Sequence, residues 1–172
     1  MLAKLMDEKK TRVTVTGAHG KTTTTSMIAH VLAAGGQGPT AIIGGKLQAF
    51  GGNARVGTSD LIVAETDESD GTFTLVSPTL AVITYVDDEH MESFGGRAER
   101  EKAYVDYALK TPKNGAVFLG VDSIRCGELL DKLSGKKIIP YGLAENARLR
   151  AESLQTSGLA SSFSVHMNGK KL

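Results

Sequence analysis

The chain has 172 residues, a length that suits one domain with a core large enough to be stable. Its 20 basic and 19 acidic residues nearly cancel, and no run of Lys and Arg forms a patch, which argues against a nucleic-acid or membrane-surface partner. Cys126 is the only cysteine, so no intrachain disulfide forms and a reducing, cytoplasmic compartment is expected. No apolar run is long enough to span a bilayer, and residues 1–10 are short and amphipathic, without the apolar core of a signal peptide.

Residues 1–9 read as a short helix and residues 12–16 as a first strand. A glycine turn, Gly17-Ala18-His19-Gly20, leads from that strand into a helix over 22–34. This helix carries Met27, Ile28, Val31 and Leu32 on one face and stops at Gly35-Gly36. Residues 40–43 form a second strand ending in Gly44-Gly45, and the glycine-rich stretch 46–59 is either a hairpin or a mobile loop. Short apolar strands follow at 61–64 and 80–84, then a helix over 98–110, a strand over 116–119, a helix over 123–133 and a strand over 137–140. Short, continuously apolar strands separated by helices predict an α/β fold with a mostly parallel sheet buried on both faces. Residues 148–154 and 163–167 read as a small antiparallel pair, and 168–172 as a hairpin turn whose return strand is cut off. The expected division is a helical connection over 1–10, a P-loop α/β core over 11–145 and an antiparallel subsheet over 146–172.

The turn reads either as a plain glycine turn followed by a solvated lysine or, as its residues favour, as a site of chemistry. A strand, a tight glycine turn and a Lys-Thr pair at a helix start form an anion cradle, because backbone N–H groups and the helix dipole both face a bound phosphate. Lys21 is placed to reach terminal phosphates and Thr22 to hold Mg²⁺. The loop is shorter than the common Gly-x-x-x-x-Gly-Lys pattern, being Gly-x-x-Gly-Lys-Thr. The run Thr22-Thr23-Thr24-Thr25 is poor in helix propensity, so something other than propensity selects hydroxyls there. Lys21, at a helix start, has no expected packing role, so its loss should spare the fold.

In open parallel sheets, ligands sit beyond the carboxyl ends of the strands. Two further strands end in polar residues: one in Glu65-Thr66-Asp67-Glu68-Ser69-Asp70, the other in Asp87-Asp88-Glu89-His90. Glu65 directly follows four apolar residues and is a natural Mg²⁺ ligand. Asp67, Glu68 and Asp70 are either a solvated acidic loop or part of the site. His90 is either structural or a ligand of a second metal as a neutral imidazole. His19 shapes the turn; His30 and His166 have no such context.

Together these segments resemble the Mur ligases, the ATP-dependent amide ligases of peptidoglycan precursor synthesis. Residues 17–25 are similar to the family's Gly-Thr-His-Gly-Lys-Thr-Thr-Thr-Thr loop, with Ala18 in place of threonine. Residues 65–70 and 84–91 are similar to the Glu-Ala-Asp-Glu-Ser-Asp and Thr-Asn-Ile-Asp-Ala-Asp-His-Met segments of its alanine-adding branch. Tyr85 stands where asparagine is usual and Glu89 where aspartate is usual. The resemblance implies that Gly17, Ala18, His19, Gly20, Lys21, Thr22 and Thr23 bind ATP, and that Lys21, Glu65 and His90 are catalytic. It implies two Mg²⁺ ions, the first on Thr22 and Glu65, the second on His90, and substrate contacts at Glu68 and Ser69. The implied substrates are UDP-N-acetylmuramate and L-alanine, held with the help of flanking domains, so the isolated central domain is not expected to ligate. Alternatives are a tripeptide-recycling or folylpolyglutamate-type ligase, or a nucleotide-binding module without ligase activity.

Overall fold

The computed structural model of the chain describes residues 2–47, 51–88 and 94–172, with Lys46 and Leu47 described by backbone alone. Helix α1 (Leu2–Asp7) precedes β1 (Thr11–Thr16), α2 (Lys21–Ala34), β2 (Thr40–Leu47), β3 (Gly52–Arg55), β4 (Leu61–Glu65) and β5 (Leu80–Ile83). Then come α3 (Arg97–Leu109), β6 (Ala116–Gly120), α4 (Ile124–Leu130), β7 (Ile138–Gly142), β8 (Leu149–Ser157), β9 (Ala160–Met167) and β10 (Lys170–Lys171). The helix expected to run to Leu133 ends as α at Leu130 and finishes as a 3₁₀ turn, Asp131–Leu133.

All of these strands join one ten-stranded sheet in the order β10-β9-β8-β7-β6-β5-β1-β4-β2-β3. Neighbours from β2 through to β8 are parallel. At one edge β3 turns back antiparallel to β2; at the other, β8, β9 and β10 form an antiparallel ribbon. The expected α/β class, mostly parallel with antiparallel strands near the C-terminus, is therefore present. The stretch read as hairpin or loop is a β2–β3 hairpin in its described part, and Lys170 and Lys171 begin the return strand against Met167 and His166.

Side chains alternate across a strand, so each central strand divides its apolar residues between two cores. Ile62, Ala64, Ala81, Ile83, Val117 and Leu119 pack with Phe73, Tyr104, Tyr107 and Leu129 on the face of α3 and α4. Val13, Val15, Val63 and Val82 turn the other way, toward Ile28, Ala29 and Leu32 of α2. Thr14, between the two β1 valines, points into the first core, where its hydroxyl hydrogen-bonds the Tyr107 hydroxyl; both residues are fully buried. Burial pushes the Tyr107 pKa up, against the opposing effect of that bond.

The apolar face read on α2 is split by the packing. Ile28 and Leu32 meet the sheet, while Met27 and Val31 are 63% and 66% exposed. Those two border a trough of about 500 Å³ over the sheet, whose other walls include Val82, Phe118, Tyr141 and Leu149. The trough lies on the sheet face, away from the strand ends where the polar residues gather.

Candidate functional site

Parallel register sets the carboxyl ends of β1, β4 and β5 side by side. Val15 lies opposite Glu65, and Thr16 lies opposite Ile83. The glycine loop 17–20, the acidic loop 65–70 and the segment 84–88 therefore share one edge of the sheet. Glu89 and His90 lie outside the described residues.

The glycine loop is braced by segment 84–88. A Cβ on Gly17 would stand 2.3 Å from Thr84 Oγ1 and 2.7 Å from the Tyr85 carbonyl oxygen, and φ there is +133°. Only glycine accepts both the approach and the backbone angle. The Ala18 N–H donates to the Tyr85 carbonyl at 2.8 Å, and the Thr84 hydroxyl donates to the His19 carbonyl at 2.6 Å. His19 Nε2 lies 2.8 Å from Asp87 Oδ2. Gly20, at φ +78°, is the N-cap of α2 and, having no side chain, makes no cap hydrogen bond of its own. The first-turn N–H groups of α2 thus face the site without a side-chain acceptor from the cap.

Lys21 is the first residue of α2, yet it is not a solvated lysine. Its ammonium donates to the Gly17 carbonyl at 2.8 Å and to the Glu68 carboxylate at 3.0 and 3.3 Å. Asp67 Oδ1 stands 3.6 Å away. The Lys21 and Glu68 side chains are only 16% and 4% exposed. The expectation that Lys21 has no packing role is corrected here: it neutralises a buried carboxylate. For Asp67, partial burial raises the pKa, but the Ser69 backbone N–H and the Lys21 charge outweigh it and hold the carboxyl below its ordinary value. The Ser69 N–H donates to Asp67 Oδ1 at 3.1 Å and the Thr72 N–H to Asp70 Oδ1 at 2.8 Å, so these two acids also shape their own loop.

Thr22 and Glu65 meet directly. The Thr22 hydroxyl donates to Glu65 Oε1 at 2.8 Å, and the Gly44 N–H donates to Oε2 at 2.7 Å. A Cβ on Gly44 would fall 2.6–2.9 Å from the Glu65 carboxyl atoms, so glycine late in β2 makes room for that carboxylate. The threonine run divides its work. Thr22 meets Glu65, Thr23 is exposed, and the buried Thr25 donates to the Lys21 carbonyl at 2.8 Å. Two hard oxygens in contact suit Mg²⁺, which keeps several waters and takes few protein ligands. Among the described residues no group of three His, Cys, Asp or Glu is placed to hold a metal.

An ion network behind segment 84–88 was not legible in the sequence. Arg100 of α3 is 3% exposed. It donates through one nitrogen to the Asp87 carbonyl and through another to Asp88 Oδ1, the latter at 2.8 Å. Arg125 of α4 grips Asp88 Oδ2 at 2.8 Å. Hydrogen bonds from Arg125 and then Arg100 hold the Asp88 carboxyl down at about 2. Ser123, the N-cap of α4, donates to the Val86 carbonyl at 2.5 Å. The available signal was weak: Arg100 falls on the helical stripe of Tyr104, Tyr107 and Ala108, a position that usually holds an apolar residue.

Residues 15–172 match the Mur ligase middle domain family. The UDP-N-acetylmuramate–L-alanine ligase of Syntrophobacter fumaroxidans (strain DSM 10017 / MPOB) is 45% identical over 172 residues, 100% of this chain and 36% of that protein. The crystal structure of UDP-N-acetylmuramate-alanine ligase from Thermotoga maritima superposes with a TM-score of 0.82 at 30% identity, covering 98% of this chain and 37% of that one. A UDP-N-acetylmuramate:L-alanyl-gamma-D-glutamyl-meso-diaminopimelate ligase from Neisseria meningitides gives a TM-score of 0.84 at 26% identity, over 99% of this chain and 56% of that one. The chain thus spans little more than a third of the length of such curated relatives. No helix among the described residues is long and apolar enough to cross a membrane.

Proposed function

The chain belongs to the Mur ligase family, and from that premise we propose that it is the ATP-binding middle domain of a cytoplasmic ligase joining L-alanine to UDP-N-acetylmuramate. The observation that carries this reading is the convergence of Lys21, Thr22 and Glu65 at the start of α2, with the Thr22 hydroxyl 2.8 Å from Glu65. Gly17, Ala18, His19, Gly20 and Thr23 complete the loop around the nucleotide phosphates. The proposed reaction activates the lactyl carboxylate by phosphorylation; the amine of L-alanine then displaces phosphate and forms the amide.

In that reaction the chain's own residues position groups and offset charge, because two anions must approach each other. Lys21 presents a fixed cation to the terminal phosphates. The first-turn N–H groups of α2 supply further donors without reorganisation. Thr22 and Glu65 would hold one Mg²⁺ and His90 a second, and the metal would supply charge neutralisation at the transferring phosphoryl group. Glu68 and Ser69, next to the Lys21-facing Asp67, would contact substrate. The division into 1–10, 11–145 and 146–172 belongs to the same reading.

The test is ATP binding by the purified chain, with Mg²⁺ present, for the wild type and for Lys21→Ala. Micromolar to millimolar binding that falls by at least about tenfold in the variant is expected, since a lost charged contact is worth about 1.5–3 kcal/mol. In an enzyme of full length, Lys21→Ala should cost on the order of 10²–10³ in kcat. Phosphate release that depends on L-alanine in that enzyme separates a ligase from a nucleotide-binding module.

A further inference from the structure

We infer that Glu68 is a built-in competitor for the nucleotide phosphates: its carboxylate holds the Lys21 ammonium, and ATP gains the lysine only against that charge. The inference rests on the nucleotide-site reading above and adds a residue that sets the affinity of that site.

The geometry makes the contact strong. An ammonium has three N–H donors. One goes to the Gly17 carbonyl at 2.8 Å and one to Glu68 at 3.0 Å, with Asp67 Oδ1 3.6 Å away on the same side. Glu68 is 3% exposed, so water does little to screen it. By contrast the Asp67 side chain is half exposed, and its pull on Lys21 is screened. An anion arriving at the glycine loop therefore meets a lysine whose charge is already matched by a neighbouring carboxylate. It also meets that carboxylate at short range in a partly buried setting, where like charges repel more than in water.

The alternative role for Glu68 is that of a pure orienter, holding Lys21 in its productive rotamer. The two roles predict opposite signs for removal of the charge. Glutamine is isosteric and its amide oxygen still accepts a hydrogen bond from Lys21, so Glu68→Gln keeps the orientation and deletes the repulsion. A competitor lost means tighter nucleotide binding; an orienter weakened means looser binding.

The experiment measures ATP affinity by calorimetry, with Mg²⁺ present, for the wild-type chain, Glu68→Gln, Lys21→Ala and the double variant, each checked for folding by circular dichroism. We expect Glu68→Gln to bind ATP roughly tenfold more tightly, a gain that shrinks as salt is raised. In the Lys21→Ala background the same substitution should give a clearly smaller gain, because only the direct repulsion is relieved and the lysine it would free is absent. Glu68→Asp, which keeps the charge and draws it back by one methylene, should give a smaller gain and covers the case in which Glu68→Gln does not fold. Unchanged or weaker ATP binding in Glu68→Gln overturns the inference, as does an equal gain without Lys21. If no protein in the set binds ATP, the nucleotide-site reading itself falls and this inference falls with it; binding by the wild type with no gain in the variant removes this inference alone.

Discussion

Gly17→Ala tests whether the glycine loop is pressed against segment 84–88. The new Cβ would meet Thr84 Oγ1 at 2.3 Å, the Tyr85 carbonyl oxygen at 2.7 Å and the Tyr85 nitrogen at 2.8 Å. Two of these atoms are backbone and cannot rotate away, and the third is held by its bonds to the Thr16 and His19 carbonyls. Holding a non-glycine residue at φ +133° costs about 1–3 kcal/mol, and inserting a methyl into a closed contact costs about as much again. The sum is roughly 2–6 kcal/mol, which for a chain of this length lowers Tm by roughly 5–20 °C. Gly20→Ala is the control. It also has positive φ, +78°, but its Cβ would meet only Thr24 Oγ1, at 3.9 Å. That change carries the backbone term alone, about 1–2 kcal/mol. Urea and thermal unfolding of both variants, with ATP affinity measured beside them, decide the matter. If Gly17→Ala proves no more destabilising than Gly20→Ala, the close packing of the loop on Thr84 and Tyr85 is wrong.

Thr14→Val should cost about 1–3 kcal/mol because it leaves the buried Tyr107 hydroxyl unpaired, and the double variant Thr14→Val/Tyr107→Phe should recover most of that loss in denaturant unfolding. Additive losses in the double variant would count against the buried pair. Asp88→Asn should lower Tm at neutral pH and match the wild type in strong acid. The Asp88 carboxyl is depressed from 3.8 to about 2, so its contribution is full above the unfolded value and is lost as pH falls through the folded one. A Tm gap that stays constant from pH 7 down to about pH 2 would remove the Arg125–Asp88–Arg100 brace as its cause. The purified chain should form no ligated product from ATP, Mg²⁺, UDP-N-acetylmuramate and L-alanine, since correct positioning of both reactants supplies up to about 7–11 kcal/mol and the surfaces for them are proposed to lie outside it. Product from the chain alone, detected by mass spectrometry, would show that those surfaces are within it.

The parts that follow local rules were legible in the chain. Val13 and Val15 alternate with threonines and announce a strand; Gly17 and Gly20 bracket a turn; Lys21-Thr22 opens a helix. Four apolar residues before Glu65 fix it to a strand end, and parallel pairing then brings it to the edge that carries Lys21. Turn chemistry, side-chain period and capping act over a few residues, so a sequence carries them openly.

Tertiary structure alone decided how the charges are paired. Glu68 reads as one acid in an acidic loop, yet the fold turns it inward onto Lys21, 47 residues earlier in the chain, while Asp67 beside it stays half exposed. Gly44 reads as the end of a strand, yet its bare backbone is what admits the Glu65 carboxylate. Arg100 sits on an otherwise apolar helical stripe and finds Asp87 and Asp88 across the fold. Met27 and Val31 share their helical face with Ile28 and Leu32 but lie exposed, because where α2 crosses the sheet decides which part of that face is covered. Burial and ion pairing depend on which distant segments meet and how far water is shut out between them. Periodicity and local propensity set neither, so charge partners become visible only once the strands are in register and the helices are laid across them.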